Sequence, residues 1–455
     1  MSSFIESEDA HPNSLELISR TSDDAKVGID RRLRFRARKR SEEVVAKFFE
    51  TNNGLKTGCE VTVDADQTVP VAEALVGMVA KYSYSRTWLE ETLEPPSVLN
   101  NFQFLFDFAD ADGLLNLPAF DADLGILEGL MTAKGAKDYV TGAVYKVKDW
   151  SSTLQTAMYI RFLKSQDVEL EPLLEWFVND YLPSEFSVSG FRFKASSPTA
   201  TYLERCRHLF PEMEGLVRQF HLFIEDGIVD FAMLDMSSDA VAYTDVPSAL
   251  EGKYVYRVDG TDLVGILNAL FSDQSGLAYV REDLQDVNFA RLVITNQLKM
   301  EDFGRHQLRG LNYLMEHDVL TVRDGRVSLA SEEKFLILHT LWAKEAVSYY
   351  HLSDAGRAYV DDVESRGWVT RRSTLLTEAE GCYLDFMLNR RFHNGPNLRN
   401  RYSHGAQLEG TEEAHFSSYL VAIKLLVALV IKLNDEFCLR AAADDRSAPA
   451  GDEAA

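Results

Sequence analysis

The sequence predicts a mainly α fold, and three observations carry the prediction. Apolar residues recur at helical spacing along most of the chain, strand-like alternation is confined to short stretches, and the last third holds long apolar helical runs separated by breakers. The order of these patterns divides the chain into five parts. They are an acidic tail expected to be disordered (1–30), a mainly helical α+β region (31–245), a helix-and-hairpin unit (246–330), a helical bundle (331–440) and a second disordered tail (441–455).

The bulk numbers bound the function. The chain has 455 residues, room for about two to four domains. With 46% hydrophobic and 26% charged residues it has the composition of a folded protein. Its net charge of -24 repels polyanions as a whole, so any nucleic-acid contact requires a local basic patch. Cys59, Cys206, Cys382 and Cys438 are far apart and form no CxxC pair. That excludes a zinc ribbon, gives no disulfide framework and points to a reducing cytoplasm. The first ten residues are polar and acidic, so no N-terminal signal is expected. Tyr419 to Leu433 is apolar, but Lys424 interrupts it and it is short for a bilayer. A buried bundle helix is expected there, with no membrane partner.

Each element has its own signal. The run Arg31 to Arg40 (RRLRFRARKR) reads either as a nucleic-acid contact or as a solvated helix face paired with Glu42, Glu43 or the acidic tail, and the solvated face is favoured. Gly58 to Val69 alternates as a strand, and so does Phe186 to Phe193. Helical spacing marks Val98 to Leu115, Leu124 to Thr132, Leu154 to Leu163, Leu170 to Tyr181 and Tyr202 to Ile224. Leu308 to Glu316 is an amphipathic helix followed by Val319 to Val322, the turn Arg323-Asp324-Gly325, and Arg326 to Leu329. A helix followed by a hairpin with Asp-Gly in its turn resembles a winged-helix unit. Arg305 and Arg309 lie near the start of that helix, but Glu316 and His317 stand where a DNA reader would carry more arginines. Further helices are expected over Phe335 to Tyr350, Leu375 to Phe392 and Glu412 to Phe437, and no internal repeat is visible.

The densest chemistry lies in Leu398-Arg399-Asn400-Arg401-Tyr402-Ser403-His404-Gly405. His393-Asn394-Gly395-Pro396 breaks the preceding helix, Asn397 is placed to cap a short new one, and Gly405 is placed to end it. His404 titrates near neutrality and suits proton transfer from a ribose 2′-hydroxyl. The Arg399 guanidinium suits the negative charge that gathers on a pentacoordinate phosphorus. Asn400 can orient either group. Arg390, Arg391, His393 and Arg401 form a local basic surrounding suited to RNA. Arg399 and His404 are five residues apart, about 140 degrees on a regular helix, so they work together only if the helix starts or ends between them or if the two act on different parts of one phosphate, and a second subunit is expected to contribute. The segment offers no carboxylate for a metal, and no cofactor is implied.

LRNRYSHG resembles the signature of the HEPN superfamily, matching at Arg399, Asn400 and His404. The flanking Asn397-Leu398 and Gly405 are similar to the version carried at the C-terminus of large bacterial proteins. The resemblance covers about 330–438. It implies a HEPN-like helical bundle with Arg399 and His404 catalytic and Asn400 supporting. It also implies a metal-independent endoribonuclease of antiviral or toxin–antitoxin systems, active as a homodimer and sometimes held by a protein partner or antitoxin. The plainer reading makes Arg399 a salt-bridge residue and His404 a helix cap. The alternatives to an enzyme are a non-catalytic nucleic-acid-binding regulator and a dimerising adaptor.

Other signals carry less. Asp110, Asp112 and Gly113 imitate a calcium loop whose first and last ligand positions fall on Phe108 and Ala119. Walker A, GxGxxG, HExxH and GxSxG sequences are absent. His208, His221, His339 and His351 sit singly, and Trp342, Tyr349 and Tyr350 read as core.

Overall fold

The computed structural model describes residues 2–7, 10–21, 28–51, 57–125, 128–129, 135, 137–236, 241–403 and 410–447. It is mainly helical, 58% helix against 12% strand.

The N-terminal segment is ordered where it is described. Helices α1 (Pro12–Arg20) and α2 (Arg31–Thr51) pack together because Leu15 and Ile18 of α1 meet Leu33 and Ala37 of α2 in a small core with Ile5 and Ile29. The expectation of disorder over 1–30 overlooked that these few apolar residues share one face. Strands β1 (Thr57–Asp64), β2 (Val71–Val76) and β3 (Met78–Ser85) follow in the order β1-β3-β2, with β1 parallel to β3 and β2 antiparallel to it.

Two long helices come next, α3 (Ala143–Ser165) and α4 (Tyr202–Asp226). Helix α4 starts at a capping box made by Thr201 and Glu204 and stops at Gly227, whose φ of 75° ends the turn. Between them, the expected strand Phe186 to Phe193 is not a strand. Phe186 ends a short helix (Leu182–Phe186), Ser187 and Gly190 turn the backbone at positive φ (54° and 96°), and side chains take the place of a neighbouring strand. Gln219 accepts from the Arg192 N–H at 2.7 Å, Asn179 from Phe193 at 3.0 Å, Glu212 from Lys194 at 3.2 Å and Glu175 from Ala195 at 2.9 Å. The expected helix Val98 to Leu115 ends early, at Leu105, and Asp107 turns the chain with a φ of 57°. Leu124 to Thr132 lies mostly outside the described residues.

The middle of the chain is a compact unit of its own. It comprises β4 (Tyr254–Arg257), α5 (Asp262–Phe271), α6 (Phe289–Thr295), β5 (Leu298–Lys299), α7 (Arg305–Glu316), β6 (Leu320–Arg323), β7 (Arg326–Leu329), α8 (Glu332–Ala343), β8 (Val347–Ser348), α9 (Asp354–Ser365) and β9 (Val369–Arg372). The β6–β7 hairpin turns on Asp324 and Gly325, both at positive φ (51° and 76°). A repeat that the sequence hides is plain here. The strand, short 3-10 turn, helix and strand β5–α7–β6 recur as β8–α9–β9, with Leu298 and Val347, Arg305 and Asp354, and Leu320 and Val369 each 49 residues apart. The sheets also correspond, β5-β7-β6 in one and β8-β4-β9 in the other, so β4 fills in the second copy the place that β7 fills in the first. One core therefore joins Val255 through Val369. Residues 331–372 pack with 246–330, and helix α8 ends at Ala343, short of the expected Tyr350, because the chain turns at Glu345 (φ 62°) to enter β8.

The largest core joins residues from Tyr84 to Val246 with those from Leu375 to Phe437. Its C-terminal contributors are α10 (Glu378–Leu388), α11 (Leu398–Ser403) and α12 (Glu412–Ser447). The segment Glu412–Asp444 is long and apolar enough to cross a membrane, but 83% of its apolar window is buried within the protein. It also carries Lys424, Lys432 and Glu436 fully buried. Helix α12 runs to Ser447, past the expected start of the tail at 441.

Candidate functional site

The motif segment is positioned by a pinned loop. Helix α10 begins at a capping box of Thr377 and Glu380 and ends at Leu388. The loop after it is held at Asn394, whose Oδ1 accepts from the Tyr139 N–H and whose Nδ2 donates to the Tyr139 carbonyl, both at 2.8 Å. Tyr139 in turn stacks on Phe386 with centroids 4.4 Å apart. Gly395 is required, because a Cβ there would lie 2.2 Å from the Phe386 carbonyl oxygen. Asn397 does precede the motif helix as expected, at a φ of 52°, but its side-chain oxygen accepts from Asn400 Nδ2 at 2.6 Å.

Helix α11 is short and amphipathic. Leu398 and Tyr402, one turn apart, are buried, and the Tyr402 hydroxyl meets His415 Nδ1 at 2.9 Å. With those two inward, Arg399 and Arg401 diverge by about 160 degrees around the axis. Arg399 turns to α4, where its Nε donates to Glu214 Oε2 at 2.7 Å and its Nη1 to Asn400 Oδ1 at 3.1 Å. Arg218 holds the other oxygen of Glu214 at 2.8 Å. Arg401 turns outward and is exposed.

The structure thus sorts the candidate residues into groups. Arg390, His393 and Arg401 line one open cleft of about 1300 Å³. Arg399 and Asn400 belong to the polar network on α4, and Arg391 pairs with Asp385 at 3.0 Å. His404 and Gly405 lie outside the described residues. The opposite wall of the cleft comes from the N-terminal helices, through Arg20 of α1 and Arg34 and Arg38 of α2. Sequence reasoning assigned the basic run to a solvated face, and part of it is one. Arg36 pairs with Glu6 at 3.3 Å, Arg38 with Glu42 at 3.1 Å and Arg40 with Glu43 at 3.4 Å. The overlooked signal was the four-residue spacing of Arg34 and Arg38, which puts both on one helix face.

The lining therefore holds five guanidinium groups (Arg20, Arg34, Arg38, Arg390, Arg401) and two carboxylates (Glu16, Glu42), three charges in excess. Such a concavity suits a polyanion inside an otherwise acidic chain. Beside the motif helix, burial pushes the Cys206 thiol up to about 12, away from a reactive thiolate. Among the described residues no group of His, Cys, Asp and Glu is arranged to hold a metal ion.

No protein-family model, curated protein or solved structure matches this chain.

Proposed function

We propose that the chain is a metal-independent endoribonuclease whose active segment is Arg399 to His404, in a HEPN-like bundle at the C-terminus. His404 takes the proton from a ribose 2′-hydroxyl as that oxygen attacks the adjacent phosphorus, and a 2′,3′-cyclic phosphate forms as the 5′-oxygen leaves with a proton. Arg399 stabilises the charge gathered on phosphorus. Its contact with Glu214 and its bond to Asn400 fix the guanidinium in orientation, as catalytic side chains require. The observation that carries the reading is the arginine-rich cleft beside the motif segment in a chain of net charge -24. By the same resemblance the protein acts as a homodimer in antiviral defence or a toxin–antitoxin pair, with a protein partner or antitoxin, and its scattered cysteines suit a reducing cytoplasm.

The test is RNA cleavage by purified wild type, His404→Ala and Arg399→Ala in EDTA, with end-group analysis of the products. The wild type leaves 2′,3′-cyclic phosphate ends and both variants lose the activity. Undiminished cleavage by both variants would remove the assignment.

A second reading has its own observation. Arg305 and Arg309 at the start of α7 and Arg323 and Arg326 on the hairpin are all exposed, and the bond from the Met300 N–H to the Gly325 carbonyl at 3.1 Å holds the hairpin tip near the helix start. A winged-helix DNA contact there makes the chain a regulator. Salt-dependent DNA retardation lost in Arg305→Ala/Arg309→Ala supports it, and no retardation at low salt removes it.

A further inference from the structure

We propose that the N-terminal helical pair is the second wall of an RNA-binding site. Arg20, Arg34 and Arg38 hold backbone phosphates of a single-stranded RNA whose other side rests on Arg390 and Arg401. The identity of the polyanion rests on the ribonuclease reading of the motif, while the wall itself rests on geometry.

Three features fix the wall. First, α2 cannot turn its arginines elsewhere, because Leu33 and Ala37 are buried against α1. Arg34, Arg38 and Ser41 then fall on one stripe, and all three line the cleft. Second, the pairs that Arg38 and Arg20 make at the rim are exposed. Arg38 pairs with Glu42 across side chains 75% and 64% exposed, and Arg20 pairs with the half-exposed Glu16, with the buried Asp138 side chain farther off at 4.0 Å. A phosphate offers the same guanidinium groups a stronger charge-assisted, bidentate contact. Third, the open volume of about 1300 Å³ admits a few nucleotides of a single strand. Phe392 adds an apolar surface to the lining, its ring packed edge-on to Tyr139 at 5.2 Å.

The experiment uses the full chain carrying His404→Ala, so that RNA survives the titration. Binding of a fluorescent oligouridylate is followed by anisotropy from about 50 to 200 mM salt. Arg34→Gln/Arg38→Gln is compared with Arg31→Gln/Arg32→Gln, which removes the same charge from exposed positions of the same helix outside the cleft. The cleft pair weakens binding and lowers the salt slope by about 0.7 for each phosphate that is no longer held, while the control pair leaves the slope unchanged. The single Arg38→Gln, at a 75% exposed position that folding does not depend on, shows half of the slope change. Equal losses in both pairs, no loss in either, or equally tight binding of duplex DNA overturns the proposal. The two readings separate cleanly. RNA that is bound with this dependence but left uncut by the wild type removes the ribonuclease and keeps the wall. RNA cut with unchanged KM by the cleft pair removes the wall and keeps the ribonuclease.

Discussion

Arg399 is joined to Glu214 across 185 residues of sequence, by a 2.7 Å bond from Nε to Oε2 that ties the motif helix to α4. The pair is partly buried, with side chains 24% and 10% exposed. An arginine used only for structure would give stability and no rate, whereas one that holds phosphorane charge would give rate. Arg399→Ala is expected to lower RNA cleavage about 100- to 1000-fold, the effect of removing one transition-state donor. Glu214→Gln, which leaves Arg399 in place but loosens it, is expected to lower kcat more than it raises KM. Arg399→Ala that lowers the melting temperature while cleaving at the wild-type rate would assign the pair to structure alone.

Lys432 lies fully buried on α12 and reaches Glu380 at 3.1 Å and the Gly113 carbonyl at 2.8 Å. Glu380 also accepts from the Leu115 and Thr377 N–H groups, both at 2.8 Å. Lys432→Met removes the ammonium that balances this carboxylate and is expected to cost about 3–5 kcal/mol in urea unfolding. Lys432→Met with Glu380→Gln recovers only part of the loss, because the stranded charge is gone but the single amide oxygen accepts from one of the two N–H groups, which bond different oxygens of Glu380. A Lys432→Met midpoint equal to that of wild type would show that water reaches the pair.

Acid stability turns on Asp435. Burial works against its charge, but the Lys253 ammonium, the His351 hydrogen bond and Lys432 outweigh it and hold the carboxyl well below the usual carboxylate range. A carboxyl depressed in the folded state binds its proton more readily when unfolded. Its contribution is therefore complete above the unfolded value of about 4 and is lost as pH falls through the lower native value. Asp435→Asn is expected to lower the melting temperature at neutral pH and to flatten its dependence on pH below about 4. Parallel acid limbs for wild type and variant would remove Asp435 as the group responsible.

The long helices were legible because burial imposes a helical period on their apolar residues, as in Tyr202–Asp226. Alternation misled at Phe186 to Phe193, where Val188, Phe191 and Phe193 are buried but Ser187 and Gly190 turn the backbone at positive φ and Asn179 and Gln219 take its N–H groups. Asn179→Leu, which leaves the Phe193 N–H and carbonyl without their partner, is accordingly expected to cost about 1–3 kcal/mol. Unfolding midpoints of variant and wild type check this. The repeat was invisible because its copies share spacing and buried positions, Leu311 and Leu314 against Val360 and Val363, but little identity. At the site, the motif and its basic neighbours were readable locally. The partner Glu214 and the opposing Arg34 and Arg38 were not, because only the fold brings distant segments together.

The placement of β4 makes a sharper prediction about that repeat. In the first copy the hairpin supplies the central strand, so the copy is contiguous in sequence. In the second copy β9 leads into α10, and the central strand comes from Tyr254–Arg257, before the first copy begins. Val255 on that strand is fully buried in the shared core. A fragment of residues 246–373 is therefore expected to unfold cooperatively in urea. A fragment of residues 259–373 keeps both helix pairs but exposes the inner edges of β8 and β9 and forfeits the burial of Val255, worth about 1.5–3 kcal/mol alone. It is expected to lose its cooperative transition or to pair its open edges between chains, visible as concentration-dependent association by light scattering. Equal midpoints for the two fragments would mean that β4 decorates the unit and does not complete it.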